Sequence, residues 1–167
     1  MKINRALLTN GITKEFEETI DFSSVSFDPT HIKNIPNCVV KAKATDYEQI
    51  LRVEVEINAL VIGVCCYTLE DVELKFKIND ELCFTDDPED VDNYYEKGNI
   101  IDLDSYILGI LLANVPIKIV KKGAKPPKSG DGYRVITEDQ YEEEKKNQVD
   151  HRFDILDTID FSDEDDK

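Results

Sequence analysis

The chain lacks the residue patterns on which most catalytic and metal-binding sites depend. It has two histidines, His31 and His151, and neither accompanies a serine or cysteine in a nucleophile motif. No phosphate-binding glycine loop, H-E-x-x-H motif or EF-hand spacing occurs. The cysteines show neither C-x-x-C spacing nor a nearby histidine. We therefore predict no catalytic residue, no metal site and no cofactor. The four cysteines are Cys38, Cys65, Cys66 and Cys83.

Long apolar runs are also missing. The longest, residues 107–115, is too short to cross a bilayer and is interrupted by Gly109 and Asn114. The first ten residues lack the apolar stretch of a signal peptide. We expect a cytoplasmic protein whose cysteines are reduced, buried and structural. Neither a membrane nor DNA is expected as a partner.

Positive charge is scarce but clustered. The chain has 20 basic and 36 acidic residues, a net charge of −16, yet residues 118–134 hold six basic residues against one acidic residue. Clustered lysines neutralise phosphates, and a nearby tyrosine can stack on a base or sugar. This loop is the one feature suited to RNA, although it can equally be a solvated loop or pair with the acidic tail. Its candidate RNA contacts are Lys118, Lys121, Lys122, Lys125, Lys128, Tyr133 and Arg134.

Alternating apolar and polar residues indicate strands at 40–44, 53–61 and 72–78. A short helix within 3–9 and a first strand at 16–22 precede them. One wet face per strand favours an antiparallel sheet, either a meander or a partial barrel. The Asp-rich run 86–92 predicts a surface loop.

A helix is predicted near 104–114, after that loop. Asp102 or Asp104 is expected to cap it, and Pro116 to end it. Its polar face is so narrow that we expect it to be buried against the sheet. The fold class is therefore α+β.

The C-terminal part combines several local signals. Residues 133–136 predict a short strand, and Thr137 to Gln140 match a capping box that opens a charged helix. Apolar residues at near-helical spacing then form a docking segment before an acidic, disordered end at 162–167. We expect a domain over 1–137 and a charged helix with docking segment over 138–161.

Three blocks in this order resemble the YceD-like family of bacterial proteins, which is linked to accumulation of 23S ribosomal RNA. They are the run Cys65, Cys66, Tyr67, Thr68 and Leu69, the acidic-led apolar helix with its Pro over 101–117, and the segment 132–161. The family signature is C-x-R-C-L or C-x-R-T-L, and the last block is typical of its Gram-positive branch. The resemblance implies a non-catalytic factor in accumulation of this RNA or in large-subunit assembly.

The chain departs from the family pattern in two places. Tyr67 stands where the family has Arg, and residues 118–128 are lysine-rich where many relatives carry a cysteine cluster. Among the signature residues Cys65, Tyr67, Thr68 and Leu69, we expect Leu69 and one cysteine to be core residues. Thr68 is expected to satisfy a strand end.

Two binding modes follow from these features. In the first, the basic loop binds large-subunit ribosomal RNA or its precursor. In the second, the protein is an acidic adaptor that holds a basic ribosomal protein or assembly factor without touching RNA. The simplest alternative for the docking segment is that its apolar residues fold back onto the protein's own sheet. The adaptor residues would be Glu142, Glu143, Glu144, Phe153, Leu156 and Ile159.

Overall fold

A computed structural model describes residues 1–47 and 49–147 of the 167-residue chain. The chain divides into two compact units, Met1–Ala124 and Lys125–Lys167. The first unit combines two β-sheets with one α-helix, as the α+β prediction requires. The boundaries expected at 137 and 161 stay predictions.

The first unit contains seven strands, one α-helix and a single 3₁₀ turn among the described residues. The 3₁₀ turn at Arg5–Leu7 is all that forms of the short helix expected within 3–9. The strands are β1 (Lys2–Asn4), β2 (Lys14–Thr19), β3 (Ile32–Tyr47), β4 (Ile50–Val64), β5 (Asp71–Thr85), β6 (Tyr94–Tyr95) and β7 (Ile100–Asp102), and the helix is α1 (Asp104–Asn114).

The main sheet has the strand order β2-β3-β4-β5-β6. β2 to β5 form an antiparallel meander, whereas the two residues of β6 pair with β5 in parallel. Over the described residues the sheet stays open, so of the two expected forms it is the meander that occurs. β1 and β7 form a separate antiparallel pair.

Side-chain alternation divides the main sheet into a buried face and a wet face. Val40, Ala42, Val53, Val55 and Ile57 are almost completely buried on one face. The other face carries ion pairs between neighbouring strands. These pairs are Lys43 with Glu15 at 3.4 Å, Arg52 with Glu81 at 3.3 Å and Lys77 with Glu56 at 3.4 Å.

Helix α1 covers the predicted residues, but only one stripe of it is buried. Ile107 and Leu111 are fully buried in the same core as β1 and β7, whereas Leu112 is 40% exposed. The expected carboxylate cap is absent, because Leu103 holds the capping position. Asp102 instead accepts the N–H of Asp104 at 3.1 Å.

The second unit begins with a loop and continues into helix α2, Glu138–Asn147. The strand predicted at 133–136 was wrong: only an isolated bridge joins Gly130 to Tyr133. Val135 instead donates its N–H to Ser129 Oγ, because a local turn takes the backbone groups that a strand would use. Thr137 and Gln140 exchange two hydrogen bonds as a reciprocal capping box.

Gly63 in β4 makes room for Ile119. A Cβ atom at position 63 would lie 2.5 Å from Ile119 Cδ1 and 3.4 Å from the carbonyl oxygen of His31. We expect Gly63→Ala to lower the free energy of unfolding by about 1–3 kcal/mol, because the added methyl overpacks this contact. Urea denaturation measures the change.

Gly109 supplies the matched control. Its Cβ would meet no atom within 4 Å on α1, so Gly109→Ala should be neutral or stabilising by up to about 1 kcal/mol. Adding Ile119→Val to Gly63→Ala removes the clashing Cδ1 and should recover part of the loss. A Gly63→Ala protein as stable as the wild type would contradict the predicted overpacking.

Candidate nucleic-acid interface

The signature turn, defined as residues 65–70, joins β4 to β5. The N–H of Cys65 donates to the carbonyl of Glu70 at 2.8 Å, and the N–H of Leu69 donates to the carbonyl of Cys65 at 2.9 Å. Leu69 has a positive φ of 58°, an uncommon conformation for a residue with a side chain. The turn is therefore closed by its own backbone.

Two expectations for this turn need correction. Leu69 is 75% exposed rather than a core residue, because its left-handed backbone turns the side chain outwards. Of the cysteines, Cys38 and Cys65 are buried, Cys83 is half-buried and Cys66 is exposed. The expectation of four buried thiols thus fails at Cys66, because β4 ends at Val64 and the chain turns there.

The post-helix segment, defined as residues 116–122, lies against the signature turn. The N–H of Cys66 donates to the carbonyl of Ile119 at 2.9 Å, and the N–H of Lys121 donates to Cys65 Sγ at 3.3 Å. Ile119 is buried between them. His31 Nε2 lies 3.1 Å from the carbonyl oxygen of Pro116 and holds the start of the segment. The fold thus places the first lysines of the basic loop beside the family signature.

Hydrogen-bond donors surround the buried thiol of Cys65. The backbone N–H of Lys121 contributes most to lowering its pKa to about 7. The hydroxyl of Thr68, which Cys65 shares with Glu70, and the N–H groups of Tyr67 and Thr68 contribute further. Burial opposes this shift. At Cys38 burial dominates, with the charge of Asp104 adding to it, and the pKa is raised to about 11. The signature cysteine therefore lies where a thiolate is stabilised.

Side chains make a second set of contacts between the turn and the segment. Lys121 Nζ lies 2.9 Å from Glu70 Oε2, and the Thr68 hydroxyl donates to the same oxygen at 3.3 Å. This pairing lowers the pKa of Glu70 and raises the pKa of Lys121. Lys118 Nζ lies 5.1 Å from the centroid of the Tyr67 ring, within cation–π range. Tyr67, in place of the family Arg, thus offers its ring to a lysine.

Of the other candidate RNA contacts, Lys122 belongs to the first unit and the rest belong to the second unit. Tyr133 is 62% exposed, and its ring lies over Gly130 so closely that a Cβ there would be 2.5 Å from Cε1. Arg134 forms an ion pair with Glu144 of α2. Lys125 and Lys128 are exposed. Among the described residues, no ion pair involves Lys122, Lys125 or Lys128.

The candidate adaptor residues fall into two groups. Glu142, Glu143 and Glu144 are exposed on α2, where Glu142 lies 4.0 Å from Lys146 and Glu144 pairs with Arg134. Phe153, Leu156 and Ile159 lie outside the described residues. Within the described part of the chain, no group of three His, Cys, Asp or Glu residues could hold a metal ion. Nor is any described helix long and apolar enough to span a bilayer.

Sequence reasoning missed the partnership between the signature turn and the post-helix segment. The sequence predicts no contact of Cys65 or Glu70 with the basic residues, which it indicates only as one exposed loop. The available signal was the shared signature itself, since its cysteine is the residue that accepts the Lys121 N–H. Separations of more than 50 residues gave no local pattern that joins the two.

The described residues therefore form an α+β protein in which a cysteine-led turn contacts the start of the basic loop. The sequence model described as "Large ribosomal RNA subunit accumulation protein YceD" matches residues 53–160, and the chain belongs to this family. It is also 30% identical over 154 residues to "Uncharacterized protein YlbN" of Bacillus subtilis (strain 168), covering 87% of each chain. No solved structure matches. The resemblance read from the three sequence blocks is confirmed.

The thiol of Cys65 makes stability depend on pH in a testable way. Its folded-state pKa of about 7 lies below the ordinary thiol value of 9.0, so its contribution to stability is present in full above pH 9 and is lost as the pH falls through 7. We expect the unfolding free energy of the wild type to rise relative to Cys65→Ser between pH 7 and pH 9. Urea denaturation across this range measures the difference.

Cys38 is the matched control of opposite sign. Its pKa is raised to about 11, so the wild type should lose stability relative to Cys38→Ala as the pH rises above 9. A difference between the wild type and Cys65→Ser that stays constant from pH 7 to 9 would contradict the stabilised thiolate.

Proposed function

We propose that this protein supports accumulation of the large-subunit ribosomal RNA by binding that RNA or its precursor, without catalysing a reaction. The observation that carries the proposal is the position of Lys118 and Lys121 beside the signature turn of a family named for this RNA. Such a role lies in the cytoplasm, where ribosomal subunits of bacteria assemble.

Electrostatics explains why the basic residues must be concentrated. The chain carries a net charge of −16, so most of its surface repels a polyanion. Residues 118–134 reverse that sign locally with six basic residues and one acidic residue. Contact with phosphates through these residues releases counterions and gives salt-dependent affinity with little sequence preference. These residues are therefore the part of the sequence best suited to contact RNA.

The signature turn contributes order to that region. Two hydrogen bonds from Cys66 and Lys121 fix the backbone of the post-helix segment, so its first lysines are positioned before RNA arrives. Preorganised contacts lose less conformational entropy on binding. Tyr133, exposed beside Arg134, supplies a ring on which an unpaired base can stack.

Charge reversal in the basic loop, residues 118–134, tests RNA binding directly. Lys122, Lys125 and Lys128 are exposed, so replacing all three with Glu should leave the fold intact. We expect affinity for large-subunit ribosomal RNA to fall at least about tenfold. The slope of log Kobs against log salt should fall by about two to three, because three phosphate contacts are lost. Filter binding at several salt concentrations measures both.

The control variant carries the same change in net charge elsewhere. Lys2, Lys14 and Lys97 are exposed and distant in sequence from the basic segment, and their replacement with Glu should leave the salt slope unchanged. If both variants lost the same RNA affinity, the loss would be an effect of net charge rather than of these three positions. An unchanged affinity after the Lys122, Lys125 and Lys128 replacements would refute this RNA surface.

The carboxylate of Glu70 should compete with RNA phosphates for the ammonium group of Lys121. It holds Lys121 Nζ at 2.9 Å, which neutralises one of the fixed lysines. We expect Glu70→Gln to raise RNA affinity severalfold, because a neutral amide leaves the charge of Lys121 to a phosphate. The same filter-binding assay measures it, with Glu89→Gln as the control for the lost negative charge. A decrease in affinity would contradict the competition.

The second candidate is the acidic adaptor. Exposed Glu142 and Glu143 on α2 favour it, since 13 acidic and four basic residues lie between 138 and 167. Such a surface speeds encounter with a basic ribosomal protein. Crosslinking in growing cells, followed by purification under denaturing conditions, distinguishes the two candidates. Attached large-subunit RNA supports the first, whereas basic proteins with RNA at background support the second.

A further inference from the structure

Within the described residues, the edge of the main sheet along β5 has no strand partner over most of its length. β5 pairs with β4 from Asp71 to Thr85, whereas β6 covers only Phe84 and Thr85 on the other side. No strand among the described residues pairs with the remaining edge. An exposed edge is a template for another strand.

The unused backbone groups of this edge belong to the odd-numbered residues of β5. Glu70, next to β5, accepts the N–H of Cys65 on the β4 side at 2.8 Å. Thr85 accepts the N–H of Glu96 at 2.9 Å on the opposite side. Because the direction alternates along an antiparallel strand, Glu73 and Lys75 present their N–H and C=O groups to the open edge.

The buried face of the sheet is incompletely covered at the same edge. Val72, Leu74, Phe76 and Ile78 alternate along β5 on the core side, yet each is only half-buried. The matching positions on β4, including Ile57 and Val61, are fully buried. A further strand beside β5 would extend the apolar face and cover this row.

The charge pattern on the wet face of β5 indicates which strand would pair with this edge. The side chains on this face are acidic, acidic, basic and basic in chain order: Asp71, Glu73, Lys75 and Lys77. A second β5 strand that runs in the opposite direction would therefore place a basic residue opposite each acidic residue. We propose that a second copy of this chain pairs antiparallel with β5, with Leu74 opposite Leu74 of the second copy. Glu73 then faces the second copy's Lys75, and Asp71 faces its Lys77.

Other registers lose this complementarity. A register moved in one direction along the strand places Lys75 opposite itself, and in the other direction it places Glu73 opposite itself. Like charges directly opposite each other are destabilising. Asp71 already pairs with Lys33, and Lys77 with Glu56, whereas no ion pair within the described residues involves Glu73 or Lys75. The two central pairs are therefore new interactions that fix the register.

Charge-swapped variants of the full-length chain test the dimer. We expect concentration-dependent dimers in sedimentation velocity at 0.15 M salt. Glu73→Lys and Lys75→Glu should each raise the dissociation constant at least about tenfold, because each creates two like-charge pairs across the axis. Combining both substitutions in one chain should restore the dimer, and an equimolar mixture of the two single variants should form heterodimers.

Controls separate the register from net charge. Glu89→Lys and Lys97→Glu make the same charge changes away from β5 and should leave the dissociation constant unchanged. In a Cys66→Ser background, Leu74→Cys should crosslink two copies on oxidation, because opposed residues of a non-hydrogen-bonded pair lie about 4.5 Å apart between Cα atoms. Ile78→Cys, opposite the second copy's Glu70, should not.

Three results would overturn the proposal. They are a monomer at every concentration, a dimer indifferent to the single reversals, or a double variant that fails to recover dimers while it remains folded. A monomer would leave the edge open to an extended peptide of a different protein.

Discussion

The contact between the signature turn and the post-helix segment is the constraint on which the functional surface depends. One N–H of Lys121 reaches the buried thiol of Cys65, and Ile119 occupies the space above Gly63. These contacts hold the residues after Pro116 against the end of β4. The chemistry of a cysteine is well suited to this place, since sulfur accepts several weak hydrogen bonds while remaining acceptable in an apolar core.

In each unit, basic residues that are candidate RNA contacts are held by residues of the same unit. In the first unit, Lys118 and Lys121 are held by the ring of Tyr67 and the carboxylate of Glu70. In the second unit, Arg134 is paired with Glu144 of α2. Both units thus use their own acidic or aromatic residues to hold basic ones, and such surface pairs are weak enough for phosphates to compete with.

Local patterns predicted the elements of the fold well. The period-two alternation located β3, β4 and β5, because a half-buried sheet imposes that period on each strand. Helix α1 lies where it is predicted, near 104–114, since Pro116 and the acidic start limit it on both sides. The strand at 133–136 was wrong, because local β-propensity without a partner strand yields to a turn, here closed by Gly130 and Ser129.

The candidate site was harder to predict because its contacts join residues far apart in the sequence. Nothing local indicates that Lys121 meets Cys65, and an apolar Leu69 after a strand looks like a core residue. Leu69 is exposed because its backbone is left-handed, and nothing in the sequence marks a leucine as left-handed. The basic composition of 118–134 was visible, but not which of its lysines are fixed.

Leu69 combines a left-handed backbone with an exposed apolar side chain. Glycine or asparagine would adopt a φ of 58° with less strain, and a polar residue would suit an exposed position better. Leucine is therefore unfavourable here both for the backbone conformation and for contact with water. Selection for thermal stability alone would not favour a leucine at this position.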